Sequence, residues 1–254
     1  PPELVTQPIP DLDVLYEDNH LLVVNKPAGI ATMGAESGPT VHSLASDYLK
    51  RKYNKPGAVY VGIVSRLDAM TSGVLVLART SKAASRLVPQ FGAVRGAAKI
   101  YLAMVEGDVT DAEGVWEDFV RKDDFAKRMR VVSGSATGAR SAKLQFMTVA
   151  HNHQHSLLAI RLLSGRKHQI RVQAADRGHP VMGDRKYDAA TRFPSGIALH
   201  SWRLQIVHPT LRKSMWFEAG LPKSWTSLRR GLPEIGSLRE SVQSHFQLVE
   251  DEPA

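Results

Sequence analysis

The sequence predicts an α+β fold, a mixed and mainly antiparallel sheet flanked by helices. Short apolar runs rich in Val, Ile and Leu, bounded by turn residues, outnumber the stretches with helical spacing. Most neighbouring runs are joined by links too short for a parallel crossover. No internal repeat or low-complexity linker divides the chain, so one domain over 1–254 is the simplest partition. Its core is expected at about 12–221, with a C-terminal helix at about 237–249.

Leu21–Val24 is the first of the strand-like runs. A helix follows, because Val41, Leu44, Ala45, Tyr48 and Leu49 share one face ahead of the basic turn Lys50-Arg51-Lys52. Tyr60–Val64 and Val74–Ala78 read as strands. A second helix is predicted from Ser81, its N-cap candidate, to Phe91, with Pro89 expected to end or kink it. Lys99–Val105 is the next strand. Asp108–Arg140, rich in charge, Gly and Ser, reads as a loop insertion or flexible hairpin. Leu144–Val149 and Leu157–Leu163 are strands, and a third helix is expected from about Arg166 to Arg177 with Gly178 at C′. Leu204–Val207 is the last predicted strand. The final helix should begin at Ser237, where Ser237 and Glu240 form a capping box, and carry Leu238, Val242 and Val249 on one stripe.

An apolar fraction of 43% suits a chain that buries a real core and excludes wholesale disorder. Cysteine is absent, which removes disulfides, thiolate zinc sites and a thiol nucleophile. No signal peptide opens the sequence and no apolar run approaches the ~18 residues of a membrane span, so a cytoplasmic protein is expected. The first residue is Pro1, which leaves open a trimmed start and a lost N-terminal module. The net charge is +8, and Arg161–Lys213 alone holds eleven basic residues against three acidic ones. Such a concentration points to an acidic partner, nucleic acid being the commonest, although a solvated basic face would look the same.

Arg66-Leu67-Asp68 follows one apolar strand and Thr71-Ser72-Gly73 leads into another, which displays Asp68 in a loop on a rigid scaffold. In isolation the bland reading is stronger: Asp68 caps a turn and Gly73 supplies a positive φ. The second cluster is Ser164-Gly165-Arg166-Lys167-His168-Gln169-Ile170-Arg171-Val172-Gln173, where N–H donors at a helix start can meet phosphates. His168 and Arg171 are three apart and share a helical face, so Arg171 can pair with a buried carboxylate while His168 or Lys167 meets an RNA backbone. Tyr101 in Lys99-Ile100-Tyr101 and the turn Lys26-Pro27-Ala28-Gly29 are individually more ordinary. His151, His153 and His155 alternate in a polar stretch, but no carboxylate lies near them in sequence, and no metal is expected. Walker A, strand–GxGxxG–helix, HExxH and GxSxG motifs are all missing.

Taken together these segments resemble the RluA-type family of pseudouridine synthases from about Val14 to about Pro209. The similarity runs through Val14–His20, Leu21–Asn25, Lys26-Pro27-Ala28-Gly29, Arg66-Leu67-Asp68 with Thr71-Ser72-Gly73, and Lys99-x-Tyr101. It continues in Gly165–Arg171, Gly178-His179-Pro180, Gly183-Asp184, Tyr187, Leu199-His200-Ser201 and His208-Pro209. The resemblance implies a pseudouridine synthase-like catalytic domain, an isomerase that converts uridines to pseudouridine in ribosomal or transfer RNA. It also implies that Asp68 is the catalytic carboxylate, Tyr101 the active-site tyrosine and Arg171 the partner of Asp68. Ile170 would wall the pocket, and Arg66 would sit beside the vacancy left by the target nucleotide. Arg166, Lys167 and His168 would hold the RNA. Ser65 and Gln173 stand where members usually or often carry His, so RNA positioning is expected to differ. No room for an S4 RNA-binding module is seen before Asp11, and a stand-alone, monomeric catalytic domain is the expectation.

The implied reaction breaks C1′–N1, turns the uracil and rejoins it through C5 without oxidation or energy input, so no cofactor is expected. The base must be flipped from its stack, and Asp68 must be ionised, with Arg171 favouring that state. Two rivals compete: a catalytically inactive RNA-binding or chaperone relative, and a metal-dependent nuclease, for which carboxylates clustered near Asp68 are lacking.

Overall fold

The computed structural model describes residues 12–35, 37–92, 96–228 and 235–248. In chain order the strands are β1 (Val14–Glu17), β2 (Leu21–Lys26), β3 (Gly62–Ile63), β4 (Ser72–Ala78), β5 (Ala98–Glu106), β6 (Glu113–Asp123), β7 (Arg128–Val132), β8 (Arg140–His151), β9 (His155–Leu162), β10 (Leu199–Val207) and β11 (Ser214–Glu218). The helices are α1 (Val41–Lys52), α2 (Ser81–Gly92), α3 (Gln169–Asp176) and α4 (Ile235–Phe246), with short 3-10 turns at Arg185–Tyr187 and Lys223–Leu228. All the described strands join one sheet in the order β1-β2-β4-β10-β5-β9-β8-β6-β7, with β3 alongside β4 and β11 alongside β10. Among the described strands only the central β4–β10 pair is parallel, through Ser72 with His200 and Gly73 with Ser201. The predicted mixed, mainly antiparallel α+β class is therefore the observed one.

That parallel pair is unusually close. Gly73 has φ +112, and a Cβ there would overlap the Ser201 carbonyl, so glycine is required. Both faces of β2 and β4 are covered, which explains their unbroken apolar runs. Leu22, Val24, Leu75 and Leu77 pack against Val41, Ala45 and Leu49 of α1. Leu21, Val23, Val74 and Val76 pack with Ala83 and Leu87 of α2. The largest cluster gathers β5, β8, β9 and α3, and Leu238, Val242 and Phe246 bring α4 onto it. Arg161 Nη1 donates to the Phe246 carbonyl at 2.7 Å, so a cation closes the C-terminus of α4.

Several boundaries differ from the sequence reading. The Tyr60–Val64 strand shrinks to Gly62–Ile63. Asp108–Arg140 is a hairpin, but a structured one: it holds β6 and β7, whose register runs from Phe119–Val132 to Asp123–Arg128. Its strands hid because Trp116 and Val120 of β6 are buried while their neighbours Val115 and Phe119 are exposed, so apolar and polar residues do not alternate along it. β1 and β11 were likewise too short and amphipathic to stand out. Thr80, not Ser81, caps α2, its Oγ1 accepting from the Ala83 amide at 3.1 Å. The helix runs on to Gly92 with Pro89 inside it, three residues from its end, so it gives up the amide that would have met the Ser85 carbonyl without stopping there. α4 begins at Ile235, so Ser237 lies inside its first turn and the Ser237–Glu240 capping box does not start the helix. Val249 lies outside the described residues. Gly178 is confirmed as C′ of α3: its amide and that of His179 reach Ala175 and Ala174 at 3.0 Å, closing a Schellman motif.

Candidate active site

The loop joining β3 to β4 carries Asp68 and is held from three sides. Lys26, at the end of β2 and fully buried, donates to the carbonyls of Pro27, Ile30 and Ala69 at 2.8, 2.7 and 3.0 Å. Burial pushes its pKa down to about 7, with the charge of Asp68 opposing that fall. Gly29 donates its amide to the same Ala69 carbonyl at 2.8 Å, and the Ile197 amide reaches Met70 at 3.2 Å. Thr32 Oγ1 both donates to the Leu67 carbonyl and accepts from the Leu67 amide, at 2.9 and 3.2 Å. The turn closes through Thr71 N–H to the Asp68 main-chain oxygen at 3.0 Å. The Asp68 carboxylate is thus left for another partner.

That partner is Arg171 on α3. Its Nη1 donates to Asp68 Oδ2 at 3.0 Å, while Nε and Nη2 clasp the two oxygens of Asp184 at 2.6 and 2.8 Å. The guanidinium and Asp184 side chains are 5% and 2% exposed, whereas Asp68 is 26% exposed. One buried arginine therefore orients two carboxylates, one sealed and one open to a ligand. Burial opposes the charge on Arg171, but Asp184 and Asp68 overcome it and hold its pKa above the ordinary arginine value. The ring of Tyr187 lies 5.1 Å from the guanidinium carbon.

α3 starts three residues later than predicted. His168 is its N-cap in the left-handed region, φ 53, so Arg166 and Lys167 belong to the preceding turn. Gln169 Oε1 accepts from the Arg166 amide at 3.0 Å and from Ser164 Oγ at 2.8 Å, which fixes that turn. The His168 ring is turned inward, with Nε2 3.8 Å from Asp68 Oδ1 and Nδ1 2.9 Å from the Tyr187 hydroxyl. Burial, opposed by Asp68 and reinforced by Arg171, Lys167 and Lys186, lowers its pKa to about 4 and keeps it neutral at pH 7. Tyr101 on β5 is 9% exposed. Burial raises its pKa to about 12, a hydrogen bond with Ser201 opposing and Asp68 adding to the rise.

Asp68, Tyr101, Arg171, Arg66, Ile170, Arg166, Lys167 and His168 all line one cleft of ≈ 690 Å³. Around it Arg66, Arg166, Lys167, Arg185 and Lys186 are exposed. The sequence reading gave no role to Asp184, Lys26, Thr32 or Tyr187. Asp184 had left one clue, as one of few acids in a strongly basic stretch. Gln173 is fully buried and bonds Asp118 at 2.6 Å, so it anchors α3 to the sheet and cannot position RNA directly. Ser65 lines a small cavity beside the cleft. A carboxylate does lie near the alternating histidines: Asp108 sits 2.6 Å from His151 and 3.7 Å from His153. Among the described residues no group of three His, Asp or Glu is placed to hold a metal ion.

Residues 20–176 match the family model described as RNA pseudouridylate synthase. An uncharacterized RNA pseudouridine synthase of Bacillus subtilis, YhcT, is 34% identical over 87% of this chain and 72% of its own. Ribosomal large subunit pseudouridine synthase D of Xylella fastidiosa is 34% identical over 93% of this chain and 73% of its own. The solved structure of human RNA pseudouridylate synthase domain containing 4 superposes with a TM-score of 0.70 at 23% identity, over 85% of this chain and 93% of that one, a likeness of fold. With its family model matched across the Asp68 loop and the Arg171 helix, the chain belongs to the RluA-type RNA pseudouridine synthases, a family of isomerases.

Proposed function

We propose that this chain isomerises specific uridines to pseudouridine in structured RNA, with Asp68 as the catalytic carboxylate. The observation that carries the reading is an open carboxylate oriented by the buried Arg171–Asp184 pair in a cleft with a cationic rim. The cleft volume is within the ~300–1,000 Å³ of small-molecule sites, so it can admit one flipped nucleoside. Ribosomal RNA is the favoured substrate, since the Xylella relative is named for the large ribosomal subunit, and transfer RNA is the alternative.

Flipping a uridine costs a few kcal/mol, which contacts between the rim cations and the backbone offset. Asp68 then acts as an anion, either attacking C1′ or removing the C2′ proton; both routes release uracil from C1′. The uracil turns against Tyr101 and Ile170, C5 bonds to C1′, the C5 proton leaves and N1 gains one. Asp68 is regenerated, displaced from C1′ by C5 on the first route and returning its proton to C2′ on the second. Tyr101 stays a neutral phenol that walls the pocket, and Arg171 works by orienting Asp68. No step draws on a cofactor or metal. The unit is proposed to be a single catalytic domain, a monomer acting in the cytoplasm; no described helix is long and apolar enough to cross a membrane.

The test is tritium release from transcripts labelled at uridine C5. Wild type should release tritium in the presence of chelator, and Asp68→Asn should fold and release none. Release by Asp68→Asn at the wild-type rate would sink the proposal. RNA annealing that persists in Asp68→Asn, with no release by wild type, would favour the chaperone reading.

A further inference from the structure

A smaller cavity of ≈ 180 Å³ adjoins the cleft and shares Arg66, Tyr101 and Arg166 with it. Its own lining includes Ser65 and Lys99. Lys99 and Tyr101 alternate onto the same face of β5, about 7 Å apart along the strand. Burial pushes the Lys99 pKa below the ordinary lysine value. The amine reaches the Phe91 carbonyl at 3.4 Å, and among the described residues no carboxylate pairs with it. A Cβ at residue 165 would stand 3.6 Å from Nζ, so Gly165 leaves the approach to the amine less crowded than another residue would. A half-buried ammonium without a counter-ion is costly, and Arg66 and Arg166 bring more positive charge to the same walls. The charge on the walls of this cavity favours an anionic ligand.

We propose that it is a phosphate subsite, taking the phosphodiester adjacent to the nucleotide whose base enters the main cleft, with Lys99 Nζ as its inner donor. The inference rests on the synthase reading, which supplies a polynucleotide threaded past Tyr101. Phosphate suits the site because it brings its charge from outside and accepts from several N–H groups at once. One strand residue at Tyr101 and the next on that face at Lys99 would then hold a base and its neighbouring phosphate.

The experiment compares wild type, Lys99→Met and Lys99→Arg on C5-tritiated in vitro transcripts of large-subunit ribosomal RNA and transfer RNA. Filter binding and tritium release are measured separately across a salt series. Lys99→Met should bind about tenfold more weakly, with kcat near wild type. The slope of log affinity against log salt should become shallower by about 0.7–0.9, one phosphate contact. Its Tm should hold or rise, because an uncompensated charge is gone, and Lys99→Arg should keep most of the affinity. Unchanged affinity and slope in Lys99→Met would overturn the subsite. So would an affinity loss accompanied by a lowered Tm and shared by Lys99→Arg, which marks a packing role. A wild type that binds transcripts with the full salt slope yet releases no tritium would refute the synthase reading and leave the binding result for Lys99 intact.

Discussion

Arg171 holds two carboxylates with opposite jobs, so Asp184→Asn and Asp68→Asn should separate cleanly. Asp184 is nearly sealed and accepts from Nε and Nη2 at 2.6 and 2.8 Å. Neutralising it leaves a buried guanidinium with only Asp68, itself partly solvated, as counter-ion. Breaking one side of a buried pair costs about 3–5 kcal/mol, and a domain of this size loses roughly 2–4 °C per kcal/mol. Asp184→Asn should therefore melt about 6–20 °C below wild type. Turnover should fall at least 100-fold, because a guanidinium free to tilt no longer presents Nη1 to Asp68; misplacement on the scale of an ångström is worth that much. Asp68→Asn keeps an acceptor for Nη1 and lies at the open edge, so its Tm should stay within about 3 °C of wild type while tritium release vanishes. Replacing the buried pair with Arg171→Met and Asp184→Leu together should recover part of the lost Tm and none of the activity. The assay is differential scanning calorimetry beside single-turnover tritium release. An Asp184→Asn protein with wild-type Tm and kcat would refute the claim that this pair sets the site, as would equal Tm losses for the two asparagine variants.

Two further outcomes follow from the same geometry. Tyr101→Phe gives up only the hydroxyl bonded to Ser201; its Tm should drop by a few degrees and RNA affinity should hold, with kcat falling at least tenfold, as rapid-quench turnover would reveal. Lys26 has a folded pKa of about 7, below the 10.5 of the unfolded chain, so between those values the unfolded state binds the extra proton and stability rises with pH. Denaturant titrations should show the stability of wild type relative to Lys26→Met climbing from pH 7 to 10, at up to about 1.4 kcal/mol per unit. A flat difference would mean that the three carbonyls around Nζ hold the ammonium as well as water does.

Residues with a strong local signal gave up their structure readily. The apolar stripe of α1, the continuous runs of β2 and β4 and the glycine after α3 each depend on near neighbours, and each lies where the sequence predicts. β6 and β7 did not show, because an edge hairpin with polar residues on its strands obeys no clean alternation. The meeting of the Asp68 loop with α3 was legible only through resemblance: 103 residues separate Asp68 from Arg171, and neither residue carries a local mark of the other. Asp184 and Lys26 were harder still. Both act by holding another group in place, Asp184 through a guanidinium and Lys26 through loop carbonyls, and the residue types alone do not announce such work.

The start of α3 is where a local rule failed in an instructive way. A helix begun at Arg166 would carry His168 in its first turn, but the observed φ of 53 at His168 breaks that turn and aims the imidazole at Asp68 and Tyr187. Such a backbone costs a non-glycine residue about 1–2 kcal/mol, and the bond to Tyr187 returns about 1 kcal/mol. His168→Gly relieves the strain, loses that bond and adds the ~0.5–1 kcal/mol entropic cost of glycine, so its Tm should stay within a few degrees of wild type. Its turnover should nevertheless fall at least tenfold, because the Asp68 oxygen that faces the ring loses its neutral neighbour and gains water. Calorimetry and tritium release on one preparation decide the matter. Wild-type turnover in His168→Gly would mean that the left-handed turn serves only to aim Arg166 and Lys167 outward, and that the imidazole near Asp68 is incidental.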